Sequence, residues 1–367
     1  MRVGLLIGAL GTGGSERQLS ELAMGLVVRG VEVEVVAYDG PGHFDEVLRN
    51  HGVEVRVLRG GSRPRKLREV RRWANAWRPD ILHGFMKRAS GLAVMANLPG
   101  RRARVVASDL STATYSRRTP ALWGALLLFA FADRVATQTE MNRRSLKLLA
   151  PWLRSKTVVV RNGVDTSRFV PGDHSTSTGP IRFLCVGTVY RVKNPVRLVE
   201  AVHLLRQHRT GFVVDWVGSR GQGGRESEEY QQAAELVQRH GLGDVFRFLG
   251  LAARVEDAYH DHDVLVHVSL QEGMPNAVVE AMASGLPVVV SQVSDLPLVV
   301  REARNGFVCD ETSPASIAEA MERVLDLSAQ ERQEMGARSR DLAVRWFDRT
   351  RFVDEYERLY RSLLGRT

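Results

Sequence analysis

The chain has 367 residues, more than one hydrophobic core usually fills, so two domains are expected. Its 44% hydrophobic content is that of an ordinary globular protein. Cys185 and Cys309 sit far apart in apolar runs, as reduced core thiols do, and no CxxC or close His/Cys group suggests structural zinc. The opening MRVGLLIGAL is too short for a signal peptide and reads as a β-strand. A spanning helix needs roughly 20 apolar residues, so the longest apolar run, Ala121–Ala132, does not cross a bilayer and reads as a buried helix.

Charge is divided unevenly. Up to Asp165 there are 27 Lys/Arg against 14 Asp/Glu, and beyond it 24 against 28. Basic clusters lie at Arg63–Arg72, Arg101–Arg104 and Arg117–Arg118. An anionic partner (phospholipid, nucleic acid or a phosphorylated acceptor), or simply a solvated Arg-rich surface, accounts for this bias.

Short β-branched runs alternate with amphipathic stretches along the chain. Strands are expected at Val3–Ile7, Val31–Ala37, Val53–Leu58, Ile81–His83, Val105–Ser108, Arg134–Thr137 and Thr157–Arg161. The alternation restarts at Ile181–Gly187, Gly211–Gly218, Val245–Leu249, Val264–Val268, Pro287–Ser291 and Gly306–Val308. Such alternation gives α/β domains with parallel sheets covered on both faces. The segment Pro171–Pro180, PGDHSTSTGP, has linker chemistry. It divides the chain into two Rossmann-like domains, 1–170 and 171–345. Helical, charged sequence follows to Leu364, and its part 346–367, with Trp346, Phe347 and Tyr356, is expected to pack back on the first domain.

Several loops carry candidate chemistry. LGTGGSERQLSEL follows the first strand, and its glycines let backbone N–H groups approach a phosphate or sugar. The third glycine of a dinucleotide fingerprint is missing. RNGVD, Arg161–Asp165, reads physically as an Asn-Gly turn. VGTVYRVKNP delivers Arg191 and Lys193 to the carboxyl edge of a sheet, where two cations suit a diphosphate. In SLQEGMPNAVVEAMASGLPVVVS, Ser269–Ser291, a helix start near Pro275–Ala277 offers N–H groups and the positive dipole end. Glu280 inside that apolar helix is costly to bury unpaired, and ribose hydroxyls would suit it. Glu272 is also explained by the helix dipole.

Taken in order and spacing, these segments resemble family 4 retaining glycosyltransferases of the GT-B fold. Glu272 to Glu280 matches the family's E-x7-E signature, GGSER its glycine loop, RNGVDTSRF its domain-closing NGVD and VGTVYRVKNP its phosphate loop. The resemblance implies that Lys193 holds the donor diphosphate, that Glu280 accepts from the ribose and that Glu272 lies near the transferred sugar. Gly273, Met274, Pro275 and Asn276 would supply backbone around that sugar, and Gly13 and Gly14 would face the β-phosphate and acceptor. Gly187, Thr188, Gly218, Ser219 and Leu251 complete the expected donor-binding set. Thr188 stands where the family has Arg, with Arg191 as its substitute; Phe85 stands where many members have a second His; Leu298 replaces a family Glu. His83 either contacts the donor sugar or is a satisfied core histidine.

The expected activity is retaining transfer of a sugar from a nucleotide-sugar, a UDP-sugar first, to a lipid-linked or saccharide acceptor, as in cell-surface polysaccharide or glycolipid assembly. The site would lie in a cleft between the domains and use neither metal nor other cofactor, since no DxD-type motif occupies a plausible loop. No nucleic-acid partner is expected. The expected location is cytoplasmic, with the basic half against an anionic inner membrane face. A sugar-nucleotide 2-epimerase and a non-catalytic nucleotide-sugar-binding protein are the alternatives.

Overall fold

The computed structural model describes every residue except 59, 99, 110–118, 173–178, 223 and 366–367. Arg117–Arg118 and most of the expected linker therefore lie outside the described residues. The chain forms two compact units, Met1–Gly163 with Arg349–Thr367, and Val164–Asp348.

The first unit is built on a parallel sheet in the order β3-β2-β1-β4-β5-β6-β7. Its strands are β1 Arg2–Ala9, β2 Glu32–Gly40, β3 Glu54–Val57, β4 Ile81–Gly84, β5 Arg104–Asp109, β6 Arg134–Thr137 and β7 Thr157–Val159. Both faces are covered, so an inner strand such as β1 reads as a continuous apolar run, whereas the edge strand β3, EVRV, alternates. Along β1, Val3, Leu5 and Ile7 enter one core cluster and Leu6 the other. At Gly4 the Trp73 ring packs so closely that a Cβ would overlap it, at 2.5 Å. The Arg349–Leu363 helix completes the first cluster with Phe352, Val353, Tyr356 and Tyr360.

The second unit repeats the plan. Its strands are β8 Ile181–Val186, β9 Phe212–Val217, the short hairpin β10 Gly221–Gln222 and β11 Arg225–Glu226, β12 Phe246–Gly250, β13 Val264–His267, β14 Val288–Ser291 and β15 Gly306–Cys309. The main sheet is parallel, in the order β12-β9-β8-β13-β14-β15. In each unit the winding reverses beside the first strand, at β1/β4 and at β8/β13. The crevice at the carboxyl ends of such strands is where open α/β sheets take ligands.

Three expectations need correction. The chain enters the second unit at Val164, ahead of the expected linker, because Phe169 and Val164 belong to the second unit's core. Trp346 and Phe347 also stay there: they end the Ala329–Phe347 helix, with Phe347 fully buried, before Asp348 turns extended. Only from Arg349 does the chain rejoin the first unit. Finally, the apolar run after residue 119 is a helix, Pro120–Phe129, with one buried face of Leu122, Leu126 and Phe129. Leu127 on its outer face is 58% exposed and Phe131 just beyond it 49%. Uniform apolarity made a half-exposed helix look like a core helix. Among the described residues no helix is long and apolar enough to cross a membrane.

Candidate functional site

The second unit assembles most of the expected residues around its β8/β13 switch point. After β8 the backbone passes Gly187, at φ 143°, and after β9 it passes Gly218, at φ 152°. These two turns run so close that a Cβ on Gly218 would lie 2.1 Å from the Gly187 carbonyl oxygen. Only glycine meets both demands. The Trp216 indole donates to that same carbonyl at 2.8 Å, and Val189 N–H donates to Ser219 O, also at 2.8 Å. Thr188 and Ser219 are thus held beside each other by backbone pairing.

A 3₁₀ turn, Arg191–Lys193, follows and stops at Asn194, a left-handed residue at φ 62°. The Asn194 side-chain amide is buried and stitches neighbouring loops together, donating to Val268 O at 3.1 Å and Glu311 O at 2.8 Å. Leu270 N–H reaches back to Val192 O at 2.8 Å. This lacing places Lys193 against the loop after β13. Its ammonium pairs with Glu272 Oε1 at 2.7 Å, and both side chains are less than a fifth exposed. Arg191, on the same turn, is exposed.

The same Glu272 oxygen lies 3.1 Å from His267 Nε2, which in turn is 3.1 Å from Ser269 Oγ. Ser291 Oγ donates to Ser269 O at 2.8 Å and fastens the turn to β14. Burial alone would raise the Glu272 carboxyl, but the Lys193 ammonium and the His267 hydrogen bond hold it well below the usual carboxylate range. His267 is pushed down by burial, with the Lys193 charge adding to the effect, so its ring is neutral at pH 7. A cavity of about 10 Å³, room for roughly one water, lies against Cys185, Lys193, Trp216, His267 and Ser269.

Gly273, Met274 and Pro275 lead from Glu272 into the Asn276–Ala283 helix, whose N-cap, Pro275, makes no side-chain cap hydrogen bond. Glu280 lies one turn further in, 4% exposed, and accepts from Tyr259 Oη at 2.9 Å. That phenol relieves part of the cost of burying the carboxylate. Leu251, after β12, is 80% exposed. His267 and Tyr259 escaped the sequence reading. The polar residue inside DVLVHVS, at the strand's carboxyl edge, was the available signal for His267; Tyr259 left none.

Gly13, Gly14 and His83 belong to the first unit. Gly13 is the N-cap of the Gly14–Val28 helix, and both glycines are exposed. His83, at 0% exposure, has both ring nitrogens occupied, Nδ1 by Tyr360 Oη and Nε2 by Ser108 Oγ, each at 2.6 Å. Burial pushes it down to about 3, and Phe85 packs on the ring at 4.5 Å. This is the geometry of a satisfied core histidine rather than of a group that touches a sugar. RNGVD proves to be more than a turn: Gly163 is bracketed by the buried Gln18 amide at 2.7 and 2.8 Å, and the chain changes unit at the next bond.

The fold and this site define a GT-B glycosyltransferase architecture. The solved structure of the Anabaena protein HepE in complex with UDP superposes with a TM-score of 0.86 at 19% identity, covering 99% of this chain and 100% of that one. Sucrose-phosphate synthase from Thermosynechococcus elongatus matches with a TM-score of 0.81 at 19% identity, over 99% of each chain. The family description "Glycosyltransferase Family 4" matches residues 12–168, and "Glycosyl transferases group 1" matches residues 168–342. The chain belongs to glycosyltransferase family 4. It is 27% identical to a glycogen synthase of Mycobacterium tuberculosis over 86% of this chain and 76% of that protein. It is 29% identical to a D-inositol 3-phosphate glycosyltransferase of Streptomyces avermitilis over 55% of this chain, spanning about half, 46%, of that relative's length.

Proposed function

We propose that this protein transfers a sugar, with retention, from a UDP-sugar to a saccharide or lipid-linked acceptor, in cell-surface polysaccharide or glycolipid assembly. The observation that carries the reading is the convergence of Lys193, Glu272 and the head of the Asn276–Ala283 helix at the β8/β13 switch point. Lys193, with Arg191 beside it, and the helix N–H groups are suited to the charge of a departing diphosphate without a metal. Glu280 would take the ribose hydroxyls. The solved HepE complexes contain UDP and UDP-glucose, which supports uridine as the nucleotide. The first unit would supply the acceptor side, through Gly13 and Gly14.

Two donors already share Glu272 Oε1, and a carboxylate so held is a poor nucleophile. That supports front-face transfer over a covalent intermediate. The bond from the sugar's anomeric carbon to the diphosphate breaks, the acceptor oxygen bonds on the same face, and its proton passes to the leaving phosphate oxygen. The test is titration with UDP-, GDP- and ADP-sugars followed by calorimetry. UDP-sugars should bind, and Lys193→Ala should weaken them about 10- to 100-fold, the worth of a charge-assisted hydrogen bond. Equal binding by wild type and Lys193→Ala would misplace the site.

The location we propose is cytoplasmic, at an anionic membrane face. The outer side of the Pro120–Phe129 helix supports this. Leu127, Phe131 and Trp152 are exposed there, with the Trp152 indole donating to Leu126 O at 3.3 Å. Cations adjoin it: Lys156 donates to Ala130 O and Ala132 O, and Arg101 to Phe131 O. Exposed apolar groups rimmed by cations suit the boundary of an anionic bilayer.

A further inference from the structure

We propose that His267 is a positioning residue whose Nε2–H keeps the Glu272 carboxylate in place while Lys193 changes partner to the donor diphosphate. The inference rests on the donor site proposed above and adds a division of labour within it. Glu272 Oε1 meets both Lys193 Nζ, at 2.7 Å, and His267 Nε2, at 3.1 Å. A carboxylate only accepts, so the imidazole proton that faces it is on Nε2, and Ser269 Oγ at 3.1 Å shares that N–H.

The two partners differ in freedom. Lys193 carries its ammonium on a four-carbon stem at the end of a 3₁₀ turn. It borders the cavity and can swing toward a phosphate while its backbone stays laced. His267 is the last residue of β13, only 4% exposed, and hydrogen-bonded pairing of β13 with β8 and β14 fixes its backbone. Its ring cannot follow. One oxygen thus has a movable partner and an immovable one. When a diphosphate draws the movable one away, the immovable one keeps the carboxylate aimed at the sugar. The charged and titratable groups around the ring are Glu272 from the loop after β13, Lys193 from the loop after β8, and Cys185 across the cavity. With the ring neutral, this Lys–Glu–His set carries no net charge, and a diphosphate adds its charge next to Lys193 rather than next to a second cation.

The test compares wild type, His267→Leu and His267→Gln, using UDP in calorimetry and UDP-glucose in turnover. Leucine removes the donor at similar bulk; glutamine offers an N–H at similar reach without titrating. His267→Leu should bind UDP within about 3-fold of wild type, since Lys193 remains. Its kcat should fall about 10- to 100-fold, since a misplacement of about 1 Å at the reacting centre can cost about 100-fold. KM should change little, and His267→Gln should recover most of the loss. Wild-type kcat in His267→Leu overturns the proposal. So does a parallel loss of UDP affinity and kcat in both variants, which would mark a packing role. A wild-type protein that binds no UDP and turns over no UDP-glucose overturns the donor reading beneath it instead.

Discussion

At the scale of single residues, Glu280 and Asp215 show what a buried carboxylate needs. Glu280 has Tyr259 Oη at 2.9 Å. Replacing Glu280 with Gln keeps the volume but weakens the acceptor, and UDP affinity should fall about 10-fold, near 1.4 kcal/mol. Tyr259→Phe should cost less, about 3-fold, because it removes only the orienting group; both are read by calorimetry. Asp215, fully buried in β9, takes two hydrogen bonds from Arg247 at 2.7 Å each and has His262 Nε2 at 3.0 Å. Burial alone would raise its carboxyl, but the His262 and Arg247 hydrogen bonds hold it far below the usual range. A depressed carboxylate stabilises the fold above its unfolded value, about 3.9, and that contribution fades as pH falls toward the folded value. Asp215→Asn should therefore lose about 2 kcal/mol at pH 7. The melting gap to wild type should narrow steadily below about pH 4. A gap that stays constant down to pH 2.5 would refute the assignment.

At the scale of elements, the Asn276–Ala283 helix matters twice, once for its head and once for its tail. Its last carbonyl, Ala283 O, accepts from Arg340 at 2.7 Å, and the same guanidinium binds Phe169 O at 2.7 Å and Thr166 O at 2.8 Å. One side chain therefore ties the site helix to the segment that enters the unit. Arg340→Ala leaves three carbonyls short of a donor and should cost about 3 kcal/mol, or roughly 6–12 °C in Tm. Arg340→Lys, which lacks the planar fork, should recover less than half. The Pro120–Phe129 helix gives a second element-scale test. Leu127→Ser with Trp152→Ser should abolish sedimentation with anionic vesicles at low salt while leaving UDP binding intact. Absence of wild-type binding to such vesicles at any salt would remove the membrane proposal.

Strands were the most legible elements, because most of those in the main sheets are short apolar runs rich in Val and Ile, such as VVVS at β14. The site's loops were legible where glycine and charge coincide, at Gly187 and Lys193. The Gln18 amide on Gly163 and the Tyr259 phenol on Glu280 were not, since they join positions 145 and 21 residues apart with no local pattern. Nor was the open face of the Pro120–Phe129 helix, because an apolar run does not say which side lacks a neighbour.

At the scale of the whole molecule, the second unit is one unbroken stretch, Val164–Asp348, inserted into the first. Its two ends are paired: Val164 bridges Asp348, and Val164 N–H donates to Phe347 O at 2.7 Å. This arrangement reverses the order in which the halves can mature on the ribosome. The first half to be synthesised has its β-strands early but lacks Phe352, Val353, Tyr356 and Tyr360, which fill its core, until the Arg349–Leu363 helix has been made. The half made second has all of its own residues once Asp348 has emerged. Translation adds roughly 5–20 residues each second, so the earlier half waits many seconds with an open core. Nascent chains ended after residue 348 and held away from the ribosome by a flexible linker long enough for Asp348 to emerge should protect the later half from protease while the earlier half is still cut.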